Sequence, residues 1–240
     1  MKFNRLLVIG AVAAGWSVQV AAQDEELGWS GKGGLGIVSQ RGNADTETIN
    51  ITGELVNNMN QWRHLLGLAI LNSSENGEDT ANRFEVYGQS DYKISETSYW
   101  FGSLRYEDDD FSQFENQATL AAGYGRELFN NDVHKLNGEI GLGYRRAELR
   151  GTGETATDPI LRGKLGYEWV LSDNATLSNN LLVEAGSDNT FAKNVTALTA
   201  DIASNFGLQV AYEIRHNTDV DDPANNSDFV TTVNLVYSLD

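Results

Sequence analysis

The sequence contains no cysteine, so neither a disulfide framework nor a sulfur-ligated metal site is available to it. Only two of its 240 residues are proline, Pro159 and Pro223. Because proline cannot donate to a β-ladder, its scarcity leaves long segments free to form sheets, and we predict that both prolines lie in loops. No apolar run after residue 22 approaches the roughly 20 residues of a membrane-spanning helix. If the chain crosses a membrane, it must do so as a closed barrel.

The N-terminus has the three parts of a secretory signal peptide. Met1 to Arg5 is short and basic, residues 6–14 are apolar and uncharged, and small residues at 20–22 occupy the positions that signal peptidase reads. The sequence therefore predicts a signal peptide over residues 1–22, cleaved after Ala22, and a mature domain over residues 23–240. A single spanning helix is the alternative, but the apolar run is short for that role.

Positive charge is also scarce. Cleavage removes Lys2 and Arg5 and no acid, which leaves 15 basic and 34 acidic residues and a net charge of −19. So acidic a surface repels nucleic acid and excludes that class of partner. Two acidic stretches in predicted outer loops offer the oxygen ligands that Ca²⁺ and Mg²⁺ prefer. The candidate ligands for a loosely bound Ca²⁺ or Mg²⁺ are Asp108, Asp109, Asp110, Asp219, Asp221 and Asp222. No other cofactor is predicted.

What the chain does contain is a repeated two-residue alternation. In the last segment, Phe229, Val233 and Tyr237 lie on an apolar face, and Thr232 and Asn234 lie on a more polar one. Eleven earlier segments alternate in the same way, which predicts twelve antiparallel strands. These cover residues 29–40, 46–57, 62–73, 83–94, 98–106, 117–128, 134–146, 160–171, 176–186, 194–203, 206–216 and 229–239.

The predicted connections mostly alternate between short and long. Those after the even-numbered strands span about two to five residues, and those after the odd-numbered strands are mostly longer and polar, such as residues 74–82, 147–158 and 217–228. Outer-membrane barrels have even strand numbers, short periplasmic turns and longer external loops. With the N-terminus in the periplasm, every long loop would lie outside the cell.

Aromatic residues concentrate at both ends of the predicted outward faces, as in the interfacial girdles of membrane barrels. Near the short turns these are Trp62, Tyr92, Trp100, Trp169, Phe206 and Tyr237, and near the long loops they are Phe84, Tyr106, Tyr144 and Phe229. A soluble exported β-sandwich or lipocalin-like barrel is the alternative, but it would bury its large apolar side chains. We therefore predict an all-β fold, a twelve-stranded antiparallel transmembrane β-barrel.

The predicted inward face carries both signs of charge in equal number. The basic residues are Lys32, Arg63, Lys93, Arg105, Arg145, Arg162, Lys164 and Arg215, and the acidic residues are Glu54, Glu85, Asp91, Glu139, Glu168, Glu184, Asp201 and Glu213. A selective pore shows one sign of charge at its constriction. A balanced interior pairs its charges across strands. The balance favours a narrow lumen filled by side chains, and a pore for small solutes or ions is the alternative.

Catalysis finds little support in the sequence. Of the three histidines, His64, His134 and His216, His216 is the one near the predicted outer end. The outer-membrane phospholipase is also a twelve-stranded barrel and uses a Ser/His pair at the outer leaflet, but no serine adjoins His216 in the sequence. We predict that the protein is not an enzyme.

Several short motifs remain. They are Gly28-Trp29-Ser30-Gly31, the glycine-rich residues 33–36, Gly42-Asn43, Gly-Tyr-Gly-Arg at 123–126, Gly-Leu-Gly-Tyr-Arg at 141–145 and Val-Tyr-Ser at 236–238. Over almost the whole mature chain this pattern resembles the YdiY-like family of salt-induced outer-membrane proteins of unknown function. The resemblance implies an outer-membrane barrel with a role in adapting the Gram-negative envelope to salt or ionic stress. It brings no functional residues with it.

The expected partners follow from that assignment. An outer-membrane barrel lies among lipid and lipopolysaccharide and is inserted by the barrel-assembly machinery, for which the last strand is the expected recognition segment. The oligomeric state is left open by the sequence.

Overall fold

The structure is a computed structural model and describes residues 27–40, 45–219 and 225–239. The predicted signal peptide and its cleavage site lie outside these residues. The same holds for Asp221, Asp222 and Pro223, so the predictions made for them stay predictions.

Twelve antiparallel strands form a closed barrel in which each strand pairs with its sequence neighbours and β12 pairs with β1. The strands are β1 (Gly28–Gln40), β2 (Thr46–Asn58), β3 (Trp62–Glu75), β4 (Glu78–Lys93), β5 (Ser98–Asp109), β6 (Phe114–Asn130), β7 (His134–Leu149), β8 (Thr155–Ser172), β9 (Ala175–Ala185), β10 (Thr190–Ala203), β11 (Phe206–Asn217) and β12 (Ser227–Leu239). The predicted fold class is confirmed. Among the described residues, no helix is long and apolar enough to cross a membrane.

The barrel has two ends, the turn end and the loop end. The turn end holds the first residues of β1, the last residues of β12 and the connections that follow the even-numbered strands. The loop end holds the connections that follow the odd-numbered strands.

The alternation of residues gives the barrel an apolar outside and a polar inside. Leu142 is 72% exposed on the outer wall, whereas Glu213 and Thr232 are fully buried in the lumen. A water-soluble barrel would have the reverse distribution, because burying charge and exposing leucine are both unfavourable in water. Lipid around the outer wall removes the exposure of the apolar side chains.

Several predicted loops are wrong, because polar residues at the loop end continue the ladders. β4 begins at Glu78 and β8 at Thr155, so much of the predicted loops 74–82 and 147–158 is strand. The β3–β4 connection is only Asn76-Gly77, with φ angles of 54° and 83°, the conformation of a type I′ hairpin turn. The predicted short–long alternation therefore fails at this hairpin.

Pro159 corrects another prediction, since it lies in β8 opposite Tyr144 rather than in a loop. The β7–β8 ladder continues on both sides of it, from His134 to Glu148, and loses one possible donor at this position.

The seam between β1 and β12 is paired over only part of its length. Its ladder joins Gly31–Leu35 to Leu235–Leu239, five residue pairs. The other ladders each join eleven to fifteen pairs. The ladder stops within the span between the outward aromatic residues Phe229 and Tyr237 of β12. Backbone groups left unpaired at that depth would be costly in lipid.

A side-chain hydrogen bond joins β2 to β12 where this ladder stops. Asn50 Nδ2 donates to Asn234 Oδ1 at 2.9 Å, and both side chains are almost completely buried. The intervening strand β1 places Gly36 opposite Asn50, and a side chain at Gly36 would overlap the Asn234 amide. The glycine thus leaves room for a bond that ties the two sides of the seam together.

We expect Asn234→Ala to lower the free energy of unfolding by about 1–3 kcal/mol, because a hydrogen bond between two buried side chains is lost. Hydrogen exchange at the amides of residues 37–40 should accelerate as the seam loosens. Urea titration followed by tryptophan fluorescence and exchange mass spectrometry would measure both effects. Asn179→Ala is the matched control, since it removes an Asn179–Asn194 bond of 3.1 Å between the fully laddered β9 and β10. Equal acceleration at residues 37–40 in both variants would contradict a specific role at the seam.

Candidate functional site

Eight buried charged side chains meet in the loop-end half of the lumen, and we call them the lumenal network. Its members are Arg83 and Glu85 of β4, Arg105 and Glu107 of β5, Glu184 of β9, Lys193 of β10, and Glu213 and Arg215 of β11, none of them more than 8% exposed. Four are basic and four are acidic. The set is therefore neutral when all eight are ionised.

Two ion pairs of the lumenal network cross the full width of the barrel. β4 lies opposite β10 in the ring of strands, and β5 lies opposite β11. Lys193 Nζ donates to Glu85 at 2.8 Å, and Arg215 Nη2 donates to Glu107 at 2.6 Å. Side chains from opposite walls are therefore in hydrogen-bond contact at this level of the lumen.

Two further contacts join strands that are not neighbours. Arg83 Nη2 lies 2.9 Å from Glu213 Oε1, which connects β4 to β11. Arg105 Nη2 lies 2.9 Å from Glu184 Oε2, which connects β5 to β9. Buried charges are tolerated when they are paired in this way, and removing one partner is strongly destabilising.

A buried phenylalanine lies between the two arginines that carry most of these bonds. Phe191 is 1% exposed, and its ring centroid lies 4.8 Å from the Arg105 guanidinium and 5.6 Å from that of Arg215. The face of an aromatic ring attracts cations. The ring therefore helps to hold both guanidinium groups in place between their carboxylate partners.

A second polar group, nearer the turn end, is centred on Glu139 of β7. Its carboxylate accepts hydrogen bonds from Gln89 Nε2 at 2.9 Å, Tyr99 Oη at 3.0 Å and Arg162 Nη1 at 2.7 Å. Gln89 and Tyr99 come from β4 and β5, so this group also reaches across strands that are not neighbours of β7. A cavity of about 90 Å³ separates it from the lumenal network.

The other predicted lumen charges have partners of their own around the wall. Arg63 pairs with Asp91 at 2.8 Å, and Glu168 lies 3.2 Å from Lys135. The remaining contacts are Tyr87 to Glu54, Lys93 to Asn58 and Arg145 to Asp158, at 2.8, 2.7 and 3.5 Å. Lys32 and Lys164 also face inward, each lining a lumenal cavity, whereas Asp201 is exposed at the turn-end rim.

Sequence reasoning missed four buried charges, namely Arg83, Glu107, Asp158 and Lys193. Arg83 was omitted although it began a predicted strand, and the other three fell in predicted loops. Strand alternation, continued past the predicted ends, would have placed them inside. Their omission also left the predicted balance of eight against eight incomplete.

The predicted cation ligands that the structure describes, Asp108, Asp109, Asp110 and Asp219, do not converge. β5 runs to Asp109, so successive acids alternate across the wall instead of forming the predicted loop. Asp109 lies 4.0 Å from Arg83 and 3.9 Å from Arg215, while Asp108 accepts from Tyr106 on the outer face.

Two other candidate ligands lie apart from that pair. Asp110 accepts a hydrogen bond from Asn82, and Asp219 is exposed. Within the described ranges no group of three His, Asp or Glu side chains is arranged to hold an ion. Loose binding of Ca²⁺ or Mg²⁺ stays a prediction.

All ten side chains of the predicted aromatic girdles are exposed on the outer wall. Several touch across strands near the turn end, with ring centroids 5.0 Å apart for Trp62 and Tyr92 and 5.0 Å apart for Phe206 and Tyr237. At the loop end Phe229 stacks on Tyr212 at 6.4 Å. The exposure of these rings is compatible with the two predicted girdles, whose position at the membrane interfaces stays a prediction.

His216 has a serine partner that is distant in sequence. Its Nδ1 lies 2.8 Å from Ser227 Oγ on β12, on the outer wall at the loop end. The same cross-strand pair recurs at the turn end, where His64 Nδ1 lies 2.9 Å from Ser90 Oγ. Strand register accounts for both pairs without catalysis. That the protein is not an enzyme stays a prediction.

A protein-family comparison identifies the relatives of this barrel. The model described as "Protein of unknown function, DUF481" matches residues 33–239. The chain belongs to the DUF481 family. The "Uncharacterized protein YdiY" of Escherichia coli (strain K12) is 30% identical over 169 residues. That match spans 70% of this chain and 66% of the relative, slightly under two thirds of its length. The resemblance predicted from the motifs is confirmed.

Solved structures share the architecture of this DUF481 barrel. The translocator domain of the autotransporter NalP from Neisseria meningitidis has a TM-score of 0.52 and 13% identity, with 90% of each chain covered. The NanC porin has a TM-score of 0.53 and 10% identity, with 88% of this chain and all of that chain covered. At such identities the likeness shows the fold alone, which is that of an outer-membrane barrel.

Proposed function

We propose that this DUF481 protein is an occluded outer-membrane barrel that serves the envelope without acting as an open diffusion pore. The observation that carries this is the pairing of Glu85 with Lys193 and of Glu107 with Arg215 across the full width of the lumen. A solute passing this level would have to separate buried ion pairs. Leaving one buried charge without its partner costs roughly 3–5 kcal/mol.

The proposed setting is the outer membrane, reached through a cleaved signal peptide. The apolar outer wall lies in lipid with lipopolysaccharide on the loop-end side, and the barrel-assembly machinery inserts the protein. The aromatic rings at both ends of the wall support this placement.

Conductance across a planar lipid bilayer tests the occlusion. The wild-type barrel should give no stable current steps, whereas Lys193→Ser combined with Arg215→Ser should give reproducible ones, because both ion pairs that cross the full width of the lumen are lost. Arg126→Ser combined with Arg146→Ser is the matched control, since both arginines are exposed on the outer wall. Stable, voltage-reproducible steps from the wild type would contradict an occluded lumen.

The proposed physiological role is adaptation of the envelope to ionic conditions. The lumenal network is neutral, so the net charge of −19 predicted for the mature chain resides outside it, and described acids such as Asp201 and Asp219 are exposed at the rims. The range of such exposed charge falls from about 8 Å at physiological ionic strength to about 3 Å at 1 M salt. The range of the electrostatic field around an acidic rim therefore shortens when external salt rises. An uncharged solute of equal osmolarity does not change that range.

Growth of cells that lack the gene tests this role. A growth defect should appear in raised NaCl and should be absent in sucrose of equal osmolarity, and the wild-type gene should restore growth. Equal sensitivity to both solutes, or to neither, would contradict an ionic role.

A pore for small solutes or ions is the second candidate. One argument for it is the likeness to the fold of the NanC porin. The other is that, among the described residues, only side chains fill the lumen, and side chains rearrange more readily than a packed domain would. Current steps from the wild type in the bilayer experiment would decide for this candidate.

A further inference from the structure

The lumen contains a chamber, lined by charged, polar and apolar residues, between the lumenal network and the Glu139 group. Its volume is about 90 Å³, enough for several water molecules or for one small anion in their place. The charged residues that line the chamber are Glu85, Arg105, Arg162, Lys164, Glu184 and Lys193. Tyr87, Ser103, Thr119 and Asn180 add neutral polar groups.

Basic residues outnumber acidic ones among the residues that line this chamber. Four of the six charged lining residues are basic, and both carboxylates are already engaged. Glu85 accepts from Lys193 at 2.8 Å, and Glu184 accepts from Arg105 at 2.9 Å. Arg162 is likewise paired, with Glu139 at 2.7 Å, so Lys164 is the one basic residue of the lining without an ion pair among the described residues.

Two donors at the chamber remain without a direct partner. Lys164 forms no ion pair with another residue that the structure describes, although it stands opposite Glu139 in the β7–β8 ladder. Arg105 is 8% exposed, and its Nε is buried without a hydrogen-bond acceptor among the described atoms. A buried donor without an acceptor carries a desolvation cost that a bound acceptor removes.

We propose that this chamber binds one small oxyanion of the size of sulfate or phosphate. The ammonium of Lys164 supplies a point charge, and the Arg105 guanidinium supplies a directional donor, which is the pairing of groups that recognises oxyanions. Ser103, on the same strand as Arg105, offers a hydroxyl donor. Binding at this site does not require an open lumen, so the binding test and the conductance test are independent of each other.

Equilibrium dialysis of the refolded barrel in detergent against radiolabelled sulfate tests the site. Refolding in the presence of the label allows the chamber to fill as it forms. The wild type should bind one sulfate per chain saturably, and Lys164→Gln should weaken that affinity at least tenfold. Lys135→Gln is the matched control, because Lys135 is also an inward lysine of this sheet but pairs with Glu168 and does not line the chamber. Its affinity should equal that of the wild type.

Each other outcome counts against the site. Non-saturating uptake by the wild type, unchanged binding by the folded Lys164→Gln variant, or an equal loss in Lys135→Gln would overturn it. Unlabelled phosphate should displace the sulfate, and chloride at the same concentration and ionic strength should not. Equal displacement by chloride would overturn the assignment to an oxyanion. Heat-modified migration in gels verifies that each variant is folded before dialysis.

Discussion

Replacing Arg215 by methionine should lower the free energy of unfolding of the barrel by about 3–5 kcal/mol, the largest effect expected of any single change in the lumen. Arg215 donates to Glu107 at 2.6 Å and to Glu213 at 2.9 Å, and all three groups are buried. Methionine preserves much of the volume but leaves two carboxylates without this partner. Urea titration of the protein in lipid vesicles, followed by tryptophan fluorescence, measures the change.

Two companion variants separate the ion pair from the loss of packing. Arg146→Met removes an arginine from the exposed outer wall and should change stability by no more than about 0.5 kcal/mol. Glu107→Gln combined with Arg215→Met should lose less than the sum of the two single changes, because the second substitution removes a charge that the first leaves unpaired. Strictly additive losses would show that Glu107 and Arg215 do not act as a pair.

The outer wall was more predictable from the sequence than the lumen. Outward positions need only be apolar and accessible to lipid, so the alternation of residues is sufficient to assign them, as at Phe206, Leu208 and Val210. The aromatic ends of the strands add a second periodic signal of the same kind. Both signals are local, and each strand carries its own copy.

The lumenal network depends on information that no single strand carries. Which charge meets which across the lumen follows from barrel closure and from the register of every ladder. Alternation placed Glu85 and Arg215 inside, but nothing in either strand shows that they lie 3.5 Å apart. Loop-end residues are polar on both faces, so the contrast that marks a strand fades there, and Glu107 and Lys193 were predicted to lie in loops.

The β3–β4 hairpin is marked by a local signal in the sequence. Asn76-Gly77 is a strong short-range signal for a type I′ hairpin, and it lay within a predicted nine-residue loop, 74–82. Reading it as a turn extends β3 and β4 and leads the chain directly to Arg83 as an inward residue. No local signal of this kind marks the seam between β1 and β12, because the Asn50–Asn234 bond joins residues 184 positions apart.

Ile140→Arg should cost about 2–4 kcal/mol of stability in lipid and sharply reduce the folded fraction, because it places a charge near the middle of the lipid-facing wall. Ile140 is 59% exposed and lies between His134, which contacts Trp169 at the turn end, and Tyr144 at the loop end. The heat-modifiable fraction after folding into vesicles, together with urea titration, measures the effect.

Phe111→Arg provides the matched control, since Phe111 is 54% exposed but lies on the β5–β6 connection beyond the strands. It should change stability by no more than about 0.5 kcal/mol. A soluble barrel would respond differently, because an arginine replacing an exposed isoleucine is readily hydrated and both variants would then fold equally well in detergent-free buffer. The contrast between Ile140 and Phe111 therefore tests whether the apolar wall is a membrane surface, on which the proposed location and function both depend.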